Sequence, residues 1–435
     1  MTQPNPQEQL IWFRHAAPYI NAHRGRCFVV HFSGETMQAE TFAGLIHDFT
    51  LLQSLGVKLV LVHGARPQIE ERIQDQGQQS QYHRGLRITD DQAITAVRQA
   101  VGCLRIEMEA RLSMSIANTP MSGARLSCIS GNFVTARPLG VIDGVDYCHT
   151  GEVRRINHEA IRHQLDAGNF VLLSPMGYSP TGEVFNLSAE DVARAAASSL
   201  HADKLIFLSD CSELKQGPEQ MTPAEAEQLL NEDGELSDEL RRHLMSAVAA
   251  CQQGVDRVHL VDRNRDGALL EELYTRDGSG ILITAQPYEQ LRQASIEDVG
   301  GVLDLLSPLE EAGVLVRRSR EQLELEIEHF RILIRDGMII GCVAHYPFAD
   351  DHAGELACLV IHPEYRGHGY AERLLQDIET TARGMDLKQL FVLTTQTAHW
   401  FQERGFESID IEKLPVKKRE LYNYQRRSMA FSKQL

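Results

Sequence analysis

Short apolar segments alternate with amphipathic helical segments through residues 27–284, and this alternation constrains the fold more than any other feature of the sequence. The strand candidates are residues 27–32, 57–64, 170–177, 204–210 and 256–262. Strands that are apolar on both faces require a sheet covered on both sides, and helices between them make that sheet mostly parallel. We therefore predict an open α/β sheet here, preceded by an amphipathic helix over residues 6–23.

The pattern changes near Leu291, where a second unit begins. Residues 292–313 predict a strand and a helix, and residues 329–348 predict two strands joined at Asp336-Gly337, a hairpin signature. A strand, a helix, a strand, a short helix ending at Gly405 and a final strand follow, which makes this unit α+β. We place the two domains at residues 1–286 and 292–435, with the acidic stretch 218–239 as a surface excursion of the first.

Charge and composition exclude several classes of protein. The formal net charge is −17, which repels nucleic-acid backbones. No secretory signal and no apolar run of membrane-spanning length occurs, so we expect a cytoplasmic protein with no membrane partner. The eight cysteines are scattered without a CxxC pair, which is typical of reduced thiols and predicts no zinc site among them.

One glycine-rich turn, RGHGYA at residues 366–371, lies between an apolar strand and a helix. Its glycines let the backbone turn tightly, and the first free N–H groups of the helix then converge on one point. Together with the helix dipole these donors form an anion site suited to a pyrophosphate. The turn alone is equally consistent with a tight bend that needs small residues.

The order of elements in the second unit, with R-x-x-G-x-A after its fourth strand, resembles the GNAT acyltransferase family over residues 292–435. The resemblance implies acetyl-CoA as a co-substrate, with its pyrophosphate on the backbone N–H groups of the turn. It also implies splayed fourth and fifth strands, with a backbone N–H of Leu359 or Val360 holding the thioester carbonyl. The residues expected to bind coenzyme A are Leu359, Val360, Arg366, Gly367, His368, Gly369, Tyr370 and Ala371.

Three other residues concern the acyl-transfer step. Glu355, at the start of the fourth strand, is the candidate general base, acting through a water; the alternative is a solvated carboxylate at a strand end. Cys358 invites an acyl-cysteine mechanism, but an inert buried cysteine is the favoured interpretation because no histidine lies near it in the sequence. GNAT enzymes commonly have a tyrosine acid where this chain has Phe401; coenzyme A's thiol ionises near a cysteine's pKa, so it can leave without an acid.

Several motifs together resemble the bacterial N-acetylglutamate synthases over essentially the whole chain. They include LVRRSREQLE (residues 315–324), ACLVIHP, LFVLTTQTAHWFQERGF, NYQRRS and, upstream, SGNFVTARPLGV. The resemblance implies L-glutamate held by Arg318 and Arg426, with Thr394 and Cys358 lining the acetyl end. It implies direct attack of the amine on the thioester, in the first step of arginine synthesis, and no metal.

The first unit resembles the amino-acid kinase family, but its phosphate-handling turns are altered. Residues 31–34 read HFSG where those kinases have K-x-G-G, and a neutral histidine poorly replaces a permanent cation at a phosphoryl group. Residues 63–67 read HGARP where the kinases have several glycines; a β-carbon and a proline obstruct backbone approach to phosphates. A lysine expected near residues 244–250 is also missing. We predict a domain without kinase activity.

What remains in the first unit is a binding fold. Arginine-sensitive relatives of those kinases bind arginine between an N-terminal helix and the end of the domain. The resemblance implies a site formed by Tyr19, Lys204, His259, Glu272 and Gly280, with Glu272 on the guanidinium and the turn's N–H groups on the carboxylate. It implies feedback inhibition by arginine and, through the N-terminal helix, a homohexamer. Two alternatives stay open: an arginine-sensing protein with an idle acyltransferase domain, and a residual N-acetylglutamate kinase.

Overall fold

A computed structural model describes residues 6–113, 127–214, 220–232, 236–285, 289–335, 337–420 and 428–435. The chain divides into two compact units, Met1–Gln286 and Pro287–Leu435, which are described separately below.

The first unit is an α/β domain. Its helices are α1 (Pro6–His23), α2 (Gly34–Gln38), α3 (Phe42–Ser54), α4 (Arg66–Asp75), α5 (Asp91–Leu112), α6 (His158–Asp166), α7 (Ala189–Leu200), α8 (Pro223–Asn231), α9 (Asp238–Gln252) and α10 (Ala268–Tyr274). Its strands are β1 (Cys27–Phe32), β2 (Lys58–His63), β3 (Gln81–His83), β4 (Leu86–Ile88), β5 (Cys128–Ser130), β6 (Val134–Pro138), β7 (Val141–Ile142), β8 (Val145–Asp146), β9 (Gly151–Ile156), β10 (Phe170–Leu173), β11 (Met176–Tyr178), β12 (Val184–Asn186), β13 (Lys204–Ser209), β14 (Gln220–Met221), β15 (Val258–Asp262) and β16 (Ile281–Ile283).

The main sheet of this unit has the order β14-β16-β15-β13-β1-β2-β10-β5 and is parallel except where β15 meets β16. Its central strands are buried on both faces; Val29 and Phe207 pack on one side, and Val30 and Ile206 on the other. Side-chain caps begin the helices that cover it, with Asp90 capping α5 and accepting the N–H groups of Gln92 and Ala93. The predicted open α/β sheet is confirmed.

A second sheet, of order β12-β11-β6-β9, was not anticipated from the sequence. It explains why the strand predicted over residues 170–177 ends at Leu173: the chain breaks at Ser174-Pro175 and resumes as β11 in this other sheet. Proline lacks the N–H that a continuing ladder needs. The expected surface excursion 218–239 also differs, because β14 pairs with β16 and Met221 is buried.

The second unit is α+β, as predicted. Its strands are β17 (Glu289–Gln293), β18 (Phe330–Arg335), β19 (Met338–Phe348), β20 (Ala353–Ile361), β21 (Gln389–Thr394), β22 (Glu407–Ile409) and β23 (Met429–Gln434). Its helices are α11 (Val299–Glu311), α12 (Arg320–Glu326), α13 (Tyr370–Gly384), α14 (Ala398–Gln402) and α15 (Val416–Glu420). The sheet order is β17-β18-β19-β20-β21-β23-β22, antiparallel throughout except between β20 and β21.

Helix α12 was missed, and one final strand was expected where the structure has two, β22 and β23. The short helix α14 ends at Gln402 rather than at Gly405. Ser319 caps α12 by accepting the N–H of Gln322, so the sequence S-x-x-Q was an available signal for this helix. Among the described residues, no helix combines the length and apolarity needed to cross a bilayer.

Candidate active site

A cavity of about 630 Å³ opens in the second unit where β20 and β21 separate. The two strands pair in parallel from Ala353 with Gln389 to Leu356 with Val392. Beyond that point β20 runs on to Ile361 and β21 to Thr394, and both continuations line the cavity. The expected splay of the fourth and fifth strands is therefore present, and it creates a slot whose walls carry unsatisfied strand edges.

A β-bulge in β20 accompanies this separation. Cys342 pairs with Val360, whereas Ala344 pairs with Ala357, so Val343 faces both Cys358 and Leu359. Cys358 has φ of 51°, a left-handed conformation that is uncommon for a residue with a side chain. Bulges bend the strand that carries them and increase its twist. The bulge at Cys358 thus turns the end of β20 away from β21.

The turn that follows β20 leaves its donors open. Gly367 and Gly369 have φ of 90° and 78°, and a Cβ added at either would meet no atom of the described chain within 4 Å. Arg373 is the first residue of α13 whose N–H reaches back, to the carbonyl of Gly369. Within the described chain, the N–H groups of Gly367 and Gly369 have no backbone partner. An anion at this helix terminus would meet several free donors.

Arg318 lies beside the bulge and is largely buried, with 14% of its side chain exposed. Its Nε is 3.8 Å from Glu326 Oε2, which also accepts a hydrogen bond from the Tyr346 hydroxyl at 2.6 Å. Burial alone would lower the pKa of Arg318, but the neighbouring Cys358, Tyr346 and Glu326 raise it. Within the described chain, Arg318 Nη1 also donates to the Val316 carbonyl at 3.3 Å, and its ion pair with Glu326 is long. The guanidinium fork therefore keeps donors available for a ligand carboxylate.

Glu355 is buried at the base of β20 and does not line the cavity. Its Oε1 lies 2.6 Å from Lys418 Nζ on α15, an ion pair that the sequence did not suggest. The alternative of a solvated carboxylate at a strand end is wrong. The carboxylate of Glu355 is thus buried in an ion pair with a partly exposed lysine.

The other predicted residues of this unit have different outcomes. Thr394 lines the cavity, and its hydroxyl accepts the Thr397 N–H at 3.1 Å. Phe401 also lines it and is buried. His368 is exposed and absent from the lining; its ring stacks at 6.0 Å on Tyr370. Arg426 lies outside the described residues. The remaining residues expected to bind coenzyme A all line the cavity: Leu359, Val360, Arg366, Gly367, Gly369, Tyr370 and Ala371.

Cys358 lines the cavity too, but it is poorly suited to be a nucleophile. Burial raises the pKa of its thiol to about 11, although the nearby Arg318 lowers it. The thiolate is the reactive form, and at neutral pH almost none would be present. The interpretation of Cys358 as an inert buried cysteine therefore fits the structure.

In the first unit, four of the five residues expected at an arginine site form one chain of contacts. Lys204 Nζ lies 3.1 Å from His259 Nε2, and His259 Nδ1 lies 2.5 Å from Glu272 Oε1. Glu272 Oε2 accepts the N–H of Gly280 at 2.7 Å. Burial lowers the pKa of His259 to about 4, so the imidazole is neutral between a cation and an anion. Tyr19 lies on α1, with its ring 6.5 Å from that of His23.

One detail of that expectation is not met in this structure. The N–H groups of Ser279 and Gly280, assigned to a ligand carboxylate, both donate to Glu272 Oε2 at 2.7 Å. Burial alone would raise the pKa of Glu272, but the hydrogen bonds from His259 and these two N–H groups hold it below its usual range. The Glu272 carboxylate therefore takes the donors of this turn. A buried carboxylate without hydrogen-bond donors would be costly.

Comparison with known proteins relates both units to established families. Residues 26–262 match the amino acid kinase family, and residues 326–408 match the acetyltransferase (GNAT) domain. The amino-acid acetyltransferase of Ectopseudomonas mendocina is 54% identical over 437 residues, covering 98% of this chain and 100% of that protein. The chain belongs to the amino-acid acetyltransferase family. The Azotobacter vinelandii amino-acid acetyltransferase is likewise 54% identical, over 98% of this chain and 99% of that protein.

Solved structures agree with this family assignment. N-acetylglutamate synthase from Neisseria gonorrhoeae, complexed with coenzyme A and L-arginine, is 39% identical with a TM-score of 0.91 and covers 98% of this chain and 99% of its own. The same protein complexed with coenzyme A and N-acetylglutamate has 39% identity, a TM-score of 0.60 and the same coverage. The chain is thus an acyltransferase that uses acetyl-CoA, built from an amino-acid kinase-like domain and a GNAT domain.

The acetyltransferase carries altered turns in its kinase-like unit, as expected from the sequence. His31 is buried at the end of β1, and burial lowers its pKa to about 4. A Cβ added at Gly64 would approach Gly34 N and Ser33 Cα to 3.1 Å, so this turn is closed by neighbouring backbone. Ala65 caps α4 without a side-chain hydrogen bond, and Pro67 occupies its first turn.

Sequence reasoning missed several residues that shape the acetyltransferase's cavity. Tyr346 and Glu326 hold the surroundings of Arg318, Lys418 pairs with Glu355, and Trp400 lines the wall beside Phe401. Tyr346 and Lys418 reach their partners across 20 residues or more of sequence, so no local pattern marks them. Lys418 in particular lies in a run of basic residues, VKKRE, that is typical of an exposed helix.

Proposed function

We propose that this chain transfers the acetyl group of acetyl-CoA to the amine of L-glutamate. The observation that carries the proposal is the cavity at the separated strands, with free turn donors on one side and the buried Arg318 beside the bulge. The first suits the pyrophosphate of coenzyme A, and the second suits a carboxylate of the acceptor. The solved N-acetylglutamate synthase with coenzyme A and N-acetylglutamate, 39% identical, supports the same pair of substrates.

The thioester carbonyl needs a donor at the strand gap, and the hydrogen-bond pattern favours Leu359 over Val360. His362 N–H donates to the Ile340 carbonyl of β19 at 2.8 Å. Donors alternate sides along the regular part of an antiparallel strand, so Val360 N–H also faces β19. That leaves Leu359, which lies in the bulge, as the proposed donor to the thioester carbonyl. A preorganised N–H at that position would stabilise the oxyanion that develops as the amine attacks.

The reaction proceeds by direct attack rather than through an acyl-enzyme. Glutamate's amine, once deprotonated, adds to the thioester carbonyl, and the tetrahedral intermediate collapses to release coenzyme A. Cys358, the thiol nearest this step, stays protonated, which argues against its participation. Phe401 offers no proton to the leaving sulfur, which departs as a thiolate because a thiol of pKa ~8.5 is a sufficient leaving group.

Glu355 is the proposed general base, accepting the amine's proton through a water because its side chain lies behind the cavity wall. Its contact with Lys418 at 2.6 Å fixes the position of the carboxylate. Arg318 is proposed to bind one carboxylate of glutamate. Arg426 is proposed to bind the other carboxylate through its guanidinium, on sequence resemblance alone.

The kinase-like unit is proposed to bind arginine and inhibit the enzyme, as expected for the first step of arginine synthesis. Tyr19, Lys204, His259, Glu272 and Gly280 form the proposed site. The contacts that link Lys204, His259 and Glu272 support it, as does L-arginine in the solved N-acetylglutamate synthase. In this chain, arginine would have to take Glu272 from its present donors. A cytoplasmic homohexamer is proposed on sequence resemblance.

The substrate assignment is tested by incubating the full-length protein with acetyl-CoA and single amino acids, followed by mass spectrometry of the products. We expect N-acetylglutamate, with aspartate and glutamine acetylated at least tenfold more slowly because they misplace or lack the distal carboxylate. Equal acetylation of all three would contradict the glutamate assignment.

Adding ATP and N-acetylglutamate to the protein tests the alternative of residual N-acetylglutamate kinase activity, and we expect no ADP to form.

A further inference from the structure

Three buried side chains meet in a cavity of about 60 Å³ in the first unit, and none of them lines the acetyl-transfer cavity of the second unit. They are His31 at the end of β1, Glu190 in α7 and His243 in α9. Each offers one ligand atom, and these three atoms lie within 4.8 Å of one another. The three elements are far apart in sequence, so the cluster exists only in the folded domain.

The two histidines have unused nitrogens. Neither ring nitrogen of His31, nor Nε2 of His243, has a hydrogen-bond partner among the residues that the structure describes. Both side chains are at most 1% exposed, and buried polar atoms are rarely left without a partner. Nδ1 of His243 contacts Ser209 Oγ at 2.9 Å, which fixes the ring and leaves Nε2 directed elsewhere.

Protonation states in the cluster favour metal binding. Burial lowers the pKa of both His31 and His243, so their nitrogens carry free lone pairs at neutral pH. Although burial raises the pKa of Glu190, the neighbouring guanidiniums of Arg66 and Arg242 bring it well below its usual range, so it remains a carboxylate. Neutral imidazoles and an ionised carboxylate are the forms that coordinate metal ions.

Charges around the cluster limit its affinity. Arg242 Nε lies 3.1 Å from Glu190 Oε1, and Arg66 lines the same cavity. These two guanidiniums would repel a bound metal cation. Glu35 and Glu239 also line the cavity and partly offset them, although Glu239 is paired with Arg263. Glu190 Oε2 accepts a hydrogen bond from Ser188 and can be shared with a metal. We therefore expect binding weaker than at an all-cysteine zinc site.

We propose that His31, Glu190 and His243 form a site for a divalent first-row transition cation. Two imidazoles and one carboxylate occupy three coordination positions and leave at least one for water. A bound ion would join β1, α7 and α9, and so would brace the cavity that the altered turns leave in this unit. The site is separate from the acetyl-CoA cavity, and its failure would not bear on the proposed acetyl transfer.

The test uses the full-length protein, stripped with a chelator and dialysed against Zn²⁺ or Co²⁺, with bound metal counted by elemental mass spectrometry. We expect one equivalent per chain and, with Co²⁺, visible absorption bands of a low-coordinate site. His31→Gln and Glu190→Gln should each weaken binding at least tenfold. His163→Gln, on the exposed face of α6, is the matched control and should bind as the unaltered protein does.

Two results would overturn the proposal. One is no metal retained above the blank by the unaltered protein. The other is equal retention by all variants, which would place the ion elsewhere. If His31→Gln does not fold, as judged by circular dichroism, Glu190→Gln and His243→Asn carry the test, since they alter helices rather than the central strand.

Discussion

The two units each contain a strand, a glycine-bearing turn and a helix around a cavity, yet they use that arrangement in opposite ways. After β20, Gly367 and Gly369 leave open space and free N–H groups. After β2, the turn at Gly64 is closed by Gly34 and Ser33, and Ala65 and Pro67 occupy the start of α4. The buried histidines His31 and His243 lie in the wall of the second of these cavities, beside the side chains of Arg66 and Arg242.

This difference teaches that a glycine turn is a phosphate site only when the space in front of it is also empty. Gly64 satisfies the sequence pattern, but its neighbours stand within contact distance. Gly369 satisfies both conditions. The same order of strand, glycine turn and helix can therefore bind a cofactor in one unit, while in the other unit the turn is closed by neighbouring backbone.

The largest expected difference between the units concerns acid. In the first unit, burial lowers the pKa of three histidines, His31, His63 and His259, to about 4 each. In the second unit, burial lowers the pKa of one histidine, His345, to about 4. Below the unfolded pKa of ~6.5, protons bind the unfolded chain preferentially, so stability falls from there toward pH 4. At pH 5 each such histidine costs about 2 kcal/mol, so the three in the first unit cost about 6 kcal/mol and the one in the second costs about 2 kcal/mol. The buried His243, whose pKa is also lowered, adds to the cost in the first unit.

Hydrogen exchange followed by mass spectrometry at pH 7.5 and pH 5.5, corrected for intrinsic rates, resolves the two units separately. We expect protection to fall more in the first unit. His63→Asn, which cannot gain the proton, should reduce that loss. A larger loss in the second unit would reverse the comparison.

A side chain placed in the open turn at residues 366–371 should weaken the binding of acetyl-CoA. Gly369→Val places a β-branched residue at a φ of 78° and removes at least two well-aligned donors to phosphate, about 3 kcal/mol, so the KM for acetyl-CoA should rise about 100-fold. Gly337→Val, at a φ of 77° in the β18–β19 hairpin, is the control for backbone strain alone. Similar effects of the two substitutions on the KM for acetyl-CoA would contradict a phosphate site at the turn.

Removal of the proposed base should slow catalysis without affecting coenzyme A binding. Glu355→Gln should lower kcat about 100-fold and flatten its rise with pH, because a positioned base contributes at least that much. Lys418→Gln breaks the same ion pair but keeps the carboxylate, so its pH profile should retain the rise. If both variants change the profile alike, the ion pair is structural and Glu355 is not the base.

The acceptor side of the cavity gives the smallest expected effect. Arg318→Ala should raise the KM for glutamate about 30-fold, since a charged hydrogen bond contributes about 2 kcal/mol, and leave that for acetyl-CoA within twofold. Arg320→Ala is the control, because Arg320 is an exposed partner of Glu324. If Arg318→Ala raised the KM for glutamate and the KM for acetyl-CoA equally, the assignment of Arg318 to the glutamate site would be contradicted.

The architecture of both units followed from the sequence where the pattern was periodic. β1, β2, β13 and β15 are apolar on both faces, and such strands have few alternatives to a covered parallel sheet. The second sheet of the first unit was not found, because β11 and β12 are only three residues each and have no clear period. Helix α12 was missed since its charges obscured the cap at Ser319.

The candidate site was predictable in part. The turn at residues 366–371 is local, so its donors could be anticipated from the order strand, glycine, glycine, helix. The pairing of Glu355 with Lys418 and the approach of Arg318 to Cys358 depend on tertiary packing, and no spacing rule encodes them. The same holds for His31, Glu190 and His243, which lie on three separate elements.

The most direct test of the whole account is release of thiol from acetyl-CoA by the full-length protein, followed with a thiol-reactive dye while L-arginine is titrated in. The account predicts release that requires L-glutamate, is lost in Gly369→Val at low acetyl-CoA, and falls as arginine rises. Release independent of glutamate, or none with any amino acid, would contradict the assignment of the cavity between β20 and β21 as the site of acetyl transfer.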